Sequence, residues 1–181
     1  MSKQFSSTPV PVAKSVLLDT SFLITVFDQN RPNHAQAEQM YFFFIRHGFI
    51  MYLSSIVVSE FCVKGDIQDL PLANFLPLGF DMADGVEAGR LNFKDFLPAG
   101  GDRAGVKDDV KLVAQAVKNG IRYFATEDRP LAEKLLAAQL NILPIFADDR
   151  VDKHFMVTTT ADGTVVSRAS LPGQMRLFAV Q

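Results

Sequence analysis

An α/β fold, with a central and mostly parallel sheet between two layers of helices, is predicted by three features of this 181-residue sequence. Short apolar runs alternate with longer segments of helical composition, the pattern of strands joined by crossover helices. The first run, Val16-Leu17-Leu18, is apolar on successive residues and so suits a strand covered on both faces. Glycines and capping residues fall where one pattern gives way to the next.

The elements follow in order. Residues 1–14, with two prolines and several serines, read as a loose leader. Residues 15–19 form a buried strand, after which Thr20 or Ser21 can cap a helix through Phe27. Residues 33–48 are helical in composition and stop at Gly48, and 49–54 make a second strand. The stretch 54–65 opens on capping serines and closes on Gly65, which predicts a helix despite its β-branched residues. Residues 75–80 suit an edge strand, because Pro77 lacks the N–H that a central strand needs. A helix over 81–91 and a loop over 92–105 follow. Residues 107–120 are the strongest helical segment, closing on Asn119-Gly120; then 121–126, 129–140 and 141–146 read as strand, helix and strand. Beyond Ala147 the character changes: 154–169 resembles a hairpin turning near Asp162-Gly163, and 175–180 a further strand. The organisation expected is a domain over 1–147 and a β-rich appendage over 148–181, packed on the same domain.

Composition narrows the function classes. Hydrophobic residues make up 48% of the chain and Phe alone contributes 16, which argues against a disordered protein. Apolar stretches such as Tyr41–Ile45 fall far short of the ~18 residues of a membrane span, and residues 1–14 lack the apolar core of a signal peptide, so a cytoplasmic location is expected. The single cysteine, Cys62, reads as a small buried hydrophobe, and the Phe42-Phe43-Phe44 cluster as core packing. His34, His47 and His154 have no paired-ligand spacing. Neither phosphate-loop, dinucleotide, hydrolase-elbow nor zinc-protease motifs occur. A net charge of -2 makes no electrostatic case for a nucleic-acid partner, so that case rests on a site.

The site is read from acids. Open parallel sheets bind ligands at the carboxyl ends of their strands. Asp19 follows Val16-Leu17-Leu18 directly, and Asp128 lies two residues beyond a strand-like run. Helical spacing sets Glu60 on one face with Ile56, Val57 and Val63, and Asp109 with Leu112, Val113 and Ala116, while Asp108 turns away toward a solvated or capping role. Each acid alone has an ordinary structural reading. Asp19 and Asp128 suit helix caps, Glu60 a surface group or the partner of a buried cation, and Asp109 a first-turn acid opposing the helix dipole. Together, four carboxylates at one end of a sheet would repel by about 4 kcal/mol for each pair at ~4 Å. A divalent cation is the natural compensation, and oxygen ligands suit Mg²⁺ or Mn²⁺. Such a site ionises water and neutralises charge on a phosphodiester.

The segments "VLLDTSFLI", "SSIVVSEF", "KDDVKLVAQAVKNG" and "YFATEDRPL" resemble, in order and separation, the four acidic motifs of PIN-domain nucleases, in particular VapC-type toxins of toxin–antitoxin modules. The resemblance runs from about Ser15 to Phe146. It implies a Rossmann-like three-layer α/β/α domain and Mg²⁺- or Mn²⁺-dependent RNA cleavage by Asp19, Glu60, Asp109 and Asp128. Thr126 would be the hydroxyl residue of the last motif, and Thr20 the hydroxyl after the first aspartate. It also implies frequent dimerisation and inhibition by a small antitoxin protein. The leader and the appendage exceed a minimal toxin of this type. Glu127 is a candidate substitute for Asp128, and Lys64, Arg90, Lys107, Arg122 and Arg129 are candidates for a basic rim. The competing readings are a non-enzymatic binding module that keeps the fold and recruits protein or RNA, and a PIN nuclease of RNA processing without an antitoxin.

Overall fold

The computed structural model describes residues 14–91 and 103–149, together with the backbones of three strands near the carboxyl terminus. Residues 1–13, 92–102, His154 and the expected turn at 162–163 lie outside the described residues. The chain divides into two compact units, one of them Lys14–Asp148.

That unit begins with β1 (Ser15–Leu18), every residue of which is buried. Asp19 caps α1 (Thr20–Phe27) by accepting the Thr20 N–H, so the cap falls one residue earlier than Thr20 or Ser21. Helix α2 (His34–Arg46) packs Ala37, Met40, Tyr41 and Phe44 inward. The Phe cluster splits accordingly, with Phe44 buried and Phe42 about half exposed. Gly48 turns the chain with φ at +67°, a conformation that favours glycine, and β2 (Ile50–Ser54) follows. Ser54 caps α3 (Ser55–Phe61), which stops four residues short of Gly65. Because the helix ends early, Cys62 is exposed rather than buried, and Val63 lies in solvent instead of sharing a buried face with Glu60.

Two short 3₁₀ turns lead to β3 (Phe75–Leu78), where Pro77 sits on the sheet edge. Helix α4 (Met82–Arg90) starts with reciprocal Asp81 and Asp84 backbone caps. Helix α5 spans Arg103–Lys118, four residues earlier than the sequence pattern suggests, so part of the segment expected to be loop is helix. Asp109 therefore stands in the second turn, not at the helix opening, and the capping and dipole readings of Asp108 and Asp109 fall away. β4 (Tyr123–Ala125), α6 (Arg129–Ala137) and β5 (Leu143–Ile145) complete the unit.

The five strands are parallel in the order β3-β2-β1-β4-β5. Strand order reverses at β1, so the crevice between the ends of β1 and β4 is the switch point. The register sets Leu18 opposite Ala125, which brings Asp19 and Thr126 out side by side. In the other unit, β6 (Met156–Thr159), β7 (Val165–Leu171) and β8 (Gln174–Ala179) form an antiparallel sheet.

One buried charge ties two helices of the α/β unit together. The Asp84 side chain is almost fully buried, and Lys118 Nζ on α5 stands 3.0 Å from its Oδ1 and 2.8 Å from Oδ1 of Asp81. The lysine holds the exposed Asp81 carboxyl down at about 2. Lys118→Met should lower stability in urea unfolding, because it strands the buried Asp84 carboxylate, and Lys118→Arg should recover most of the loss.

Candidate active site

Asp19 sits at the C-terminal end of β1 and is buried. Its backbone N–H donates to Ala125 O across the strand pair, which fixes the main chain. Its carboxylate accepts from Thr20 N at 2.8 Å, from Ser21 Oγ at 2.6 Å and from Thr126 Oγ1 at 2.7 Å. Burial nonetheless pushes its pKa up, against the pull of the Ser21, Thr126 and Thr20 donors, and the charge of Asp128 adds to the rise.

The other acids arrive from different elements. Glu60, near the end of α3, accepts from the Thr20 hydroxyl. Burial raises its pKa first, and Asp19 and Asp108 add to that, while Thr20 and Lys111 oppose it. Asp128 caps α6, accepting the Leu131 N–H at 2.9 Å, and donates its own N–H to Thr126 Oγ1. Asp109 occupies the face of α5 that also carries the buried Leu112, Val113 and Ala116. Burial, then the charges of Asp19, Asp128 and Glu60, push its carboxyl up to about 7, with Lys134 the opposing cation. Asp109 thus lies within electrostatic reach of the other three acids at the switch point.

Their oxygens do not close on one point. Among the described residues no three acids or histidines stand together closely enough to hold a metal ion as they are placed. Asp19, Glu60 and Asp128 are each engaged by a hydroxyl or a backbone N–H instead. The donor set, all carboxylate oxygen with hydroxyl support and an excess of negative charge, is nevertheless chemically suited to a hard divalent cation.

Asp108, one residue from Asp109, is a surface group paired to Lys111 at 2.7 Å. Glu127 points elsewhere, with Oε1 accepting from Ala147 N at 2.6 Å and Oε2 from Asn33 Nδ2 at 3.0 Å. Of the rim candidates, Arg90 pairs with Glu87 and Arg129 with Asp148. Arg122 lies just before β4, at the opposite end of the sheet from Asp19.

Sequence reasoning missed Ser21 as anything beyond a cap. Its hydroxyl donates to Asp19, lies 3.3 Å from Thr126 Oγ1 and accepts the Glu127 N–H at 2.9 Å, bridging the ends of β1 and β4. The sequence clue is a hydroxyl two residues after the acid that ends a strand. Lys111 and Lys134, the cations that act on Glu60 and Asp109, were also missed. Ser21→Ala should destabilise the protein by about 1–2 kcal/mol in thermal unfolding, because the buried Asp19 carboxylate loses a charged hydrogen bond.

The chain matches no protein-family model and no curated protein. Among solved structures it is similar to VapBC2 from Rickettsia felis bound to a DNA fragment from their promoter, with a TM-score of 0.50 and 14% identity over 73% of this chain and 98% of that one. It is also similar to DNA-bound VapBC from Salmonella typhimurium (TM-score 0.48, 15% identity, 74% and 98% covered). Mycobacterium tuberculosis VapC20, a Sarcin-Ricin loop cleaving toxin, aligns with a TM-score of 0.48 and 15% identity over 71% and 99%. At such identities the likeness is one of fold. The parallel-sheet unit shares the fold of a PIN domain, carried by the match that spans nearly all of the Rickettsia chain.

Proposed function

We propose that this protein is a divalent-metal-dependent ribonuclease, a hydrolase of RNA phosphodiester bonds, and the toxin of a toxin–antitoxin pair. One arrangement carries the reading: at the ends of β1 and β4, Thr20 joins the buried Asp19 carboxylate to Glu60, and burial together with Asp19, Asp128 and Glu60 pushes the nearby Asp109 carboxyl up to about 7. A fold of marginal stability has reason to keep such a cluster if a ligand repays its cost.

Asp19, Glu60, Asp109 and Asp128 would hold Mg²⁺ or Mn²⁺. When bound, that ion supplies a nucleophilic water and neutralises charge on the phosphate. The chain's own part is positioning. Ser21 and Thr126 lock the Asp19 carboxylate from one side while Thr20 N–H holds it from the other. Thr20 also reaches Glu60 with its hydroxyl, so consecutive residues link two of the acids. Asp109 holds a proton near neutral pH and would release it as a cation approaches, coupling ion binding to pH.

The partners on this reading are an RNA substrate, a small antitoxin protein and a second copy of the chain. The solved relatives include VapBC complexes, which supports an antitoxin. The location on this reading is cytoplasmic; among the described residues no helix is long and apolar enough to cross a membrane. The test is incubation of purified protein with total cellular RNA. Cleavage should occur with millimolar Mg²⁺ or Mn²⁺ and stop with a chelator; intact RNA under both conditions would reject the reading. The wide spacing of the acids favours the second reading, a binding module that retains the fold without catalysis. RNA bound but never cut would select it.

A further inference from the structure

The two neighbours of Asp128 both grip the chain just before the unit ends. Glu127 accepts the Ala147 N–H with one carboxylate oxygen and the Asn33 side-chain amide with the other. Arg129 donates from Nη2 to both oxygens of Asp148, 2.6 Å to each, and its guanidinium carbon lies 3.9 Å from the centre of the Phe146 ring. Between them, Asp128 caps α6 by accepting the Leu131 N–H, and its charge acts on Asp109. Thr126, two residues before Asp128, donates its hydroxyl to Asp19.

We infer that Glu127 and Arg129 act as a clamp on residues 146–148 that positions Asp128, so that Glu127 is a positioning residue and not a spare metal ligand. The physical case is one of chain freedom. The β4–α6 connection is three residues long, and its middle residue is the one anchored on both sides, to the loop before α2 and to the segment after β5. Fixing a backbone residue costs conformational entropy, and an anchored neighbour meets that cost before any ligand arrives. The Arg129 bond is solvent-exposed, so it contributes less than the Glu127 bonds, which are partly buried.

The chemistry separates a clamp from a ligand. In Glu127→Gln the amide oxygen still accepts from Ala147 N, and Asn33 can turn its own carbonyl to accept from the new amide nitrogen. Glu127→Ala removes both bonds.

The experiment compares Glu127→Ala, Glu127→Gln and Asp128→Asn by two readouts. The first is native-state hydrogen exchange at the Leu131 and Asp128 amides, whose acceptors are Asp128 Oδ1 and Thr126 Oγ1. Glu127→Ala should speed exchange at both by about tenfold, equivalent to about 1.4 kcal/mol, while Glu127→Gln stays near wild type. The second readout rests on the nuclease reading: the Mn²⁺ concentration for half-maximal RNA cleavage should rise about tenfold in Glu127→Ala, with the rate at saturating Mn²⁺ nearly kept. Asp128→Asn should lose that saturating rate. Wild-type exchange at both amides in Glu127→Ala would overturn the clamp, as would a Glu127→Gln that loses cleavage as completely as Asp128→Asn. Wild-type protein that cuts no RNA would reject the nuclease reading alone, since the exchange readout still decides the clamp. If Glu127→Ala does not fold, Asn33→Ala, which removes one anchor at the edge of the unit, should show the same change in exchange at reduced size.

Discussion

Asp19→Asn should abolish metal-dependent RNA cleavage, lowering it by more than about 10²-fold, the upper range for residues that merely support a metal ligand. The variant is informative because it should fold. Asparagine keeps an oxygen to accept from Thr20 N, and the hydroxyls of Ser21 and Thr126 can rotate to accept from its amide. The exchange also removes a charge that burial disfavours, so thermal stability should hold or rise. Cleavage at the wild-type rate in this variant would take Asp19 out of the chemistry.

Asp109→Asn should make the protein more stable in a chelating buffer at pH 8. The native state holds the Asp109 proton up to about pH 7, whereas the unfolded chain releases it near the ordinary 3.8. Native protein therefore binds more protons between those values, and its stability, complete below the lower one, falls as pH rises through the higher. A shift from 3.8 to about 7 would amount to about 4 kcal/mol at full value. Asp109 is partly open to solvent, which reduces the expected gain to about 1–2 kcal/mol. Urea titrations at pH 5 and pH 8 would show it, with the difference between the two proteins smaller at the lower pH. Addition of Mg²⁺ or Mn²⁺ at 100 times its dissociation constant should then stabilise wild type by about 2.7 kcal/mol and the variant far less. Equal metal responses in both would remove Asp109 from any ion site.

The two results are linked by one trade. A group of acids that destabilises the free protein and is relieved by a cation turns electrostatic cost into affinity and pH dependence. The inward face of α5 is where that cost is concentrated.

Much of this architecture could be read along the chain, because its determinants are local. β1 carries three successive apolar residues, Val16–Leu18, before Asp19, and helix α5 repeats its apolar positions at helical spacing, so strand and helix announce themselves. Pro77 marked the edge strand for the same reason, since a missing N–H is a property of one residue. Element ends were less legible. Helix α5 begins at Arg103, within a stretch rich in glycine that has no local signal to continue a helix, and α3 stops before Gly65, leaving Cys62 outside.

By itself, the sequence determined which residues are acidic, which face of α5 carries Asp109, and that Asp19 and Asp128 follow strands. Only the tertiary structure decided that β1 and β4 are neighbours in register, that Ser21 spans them, and that Glu127 is drawn away to Asn33 and Ala147. The reason is that these contacts join residues about a hundred positions apart or turn on one rotamer. Sequence periodicity reports only on the few residues that share a helical turn or a strand face.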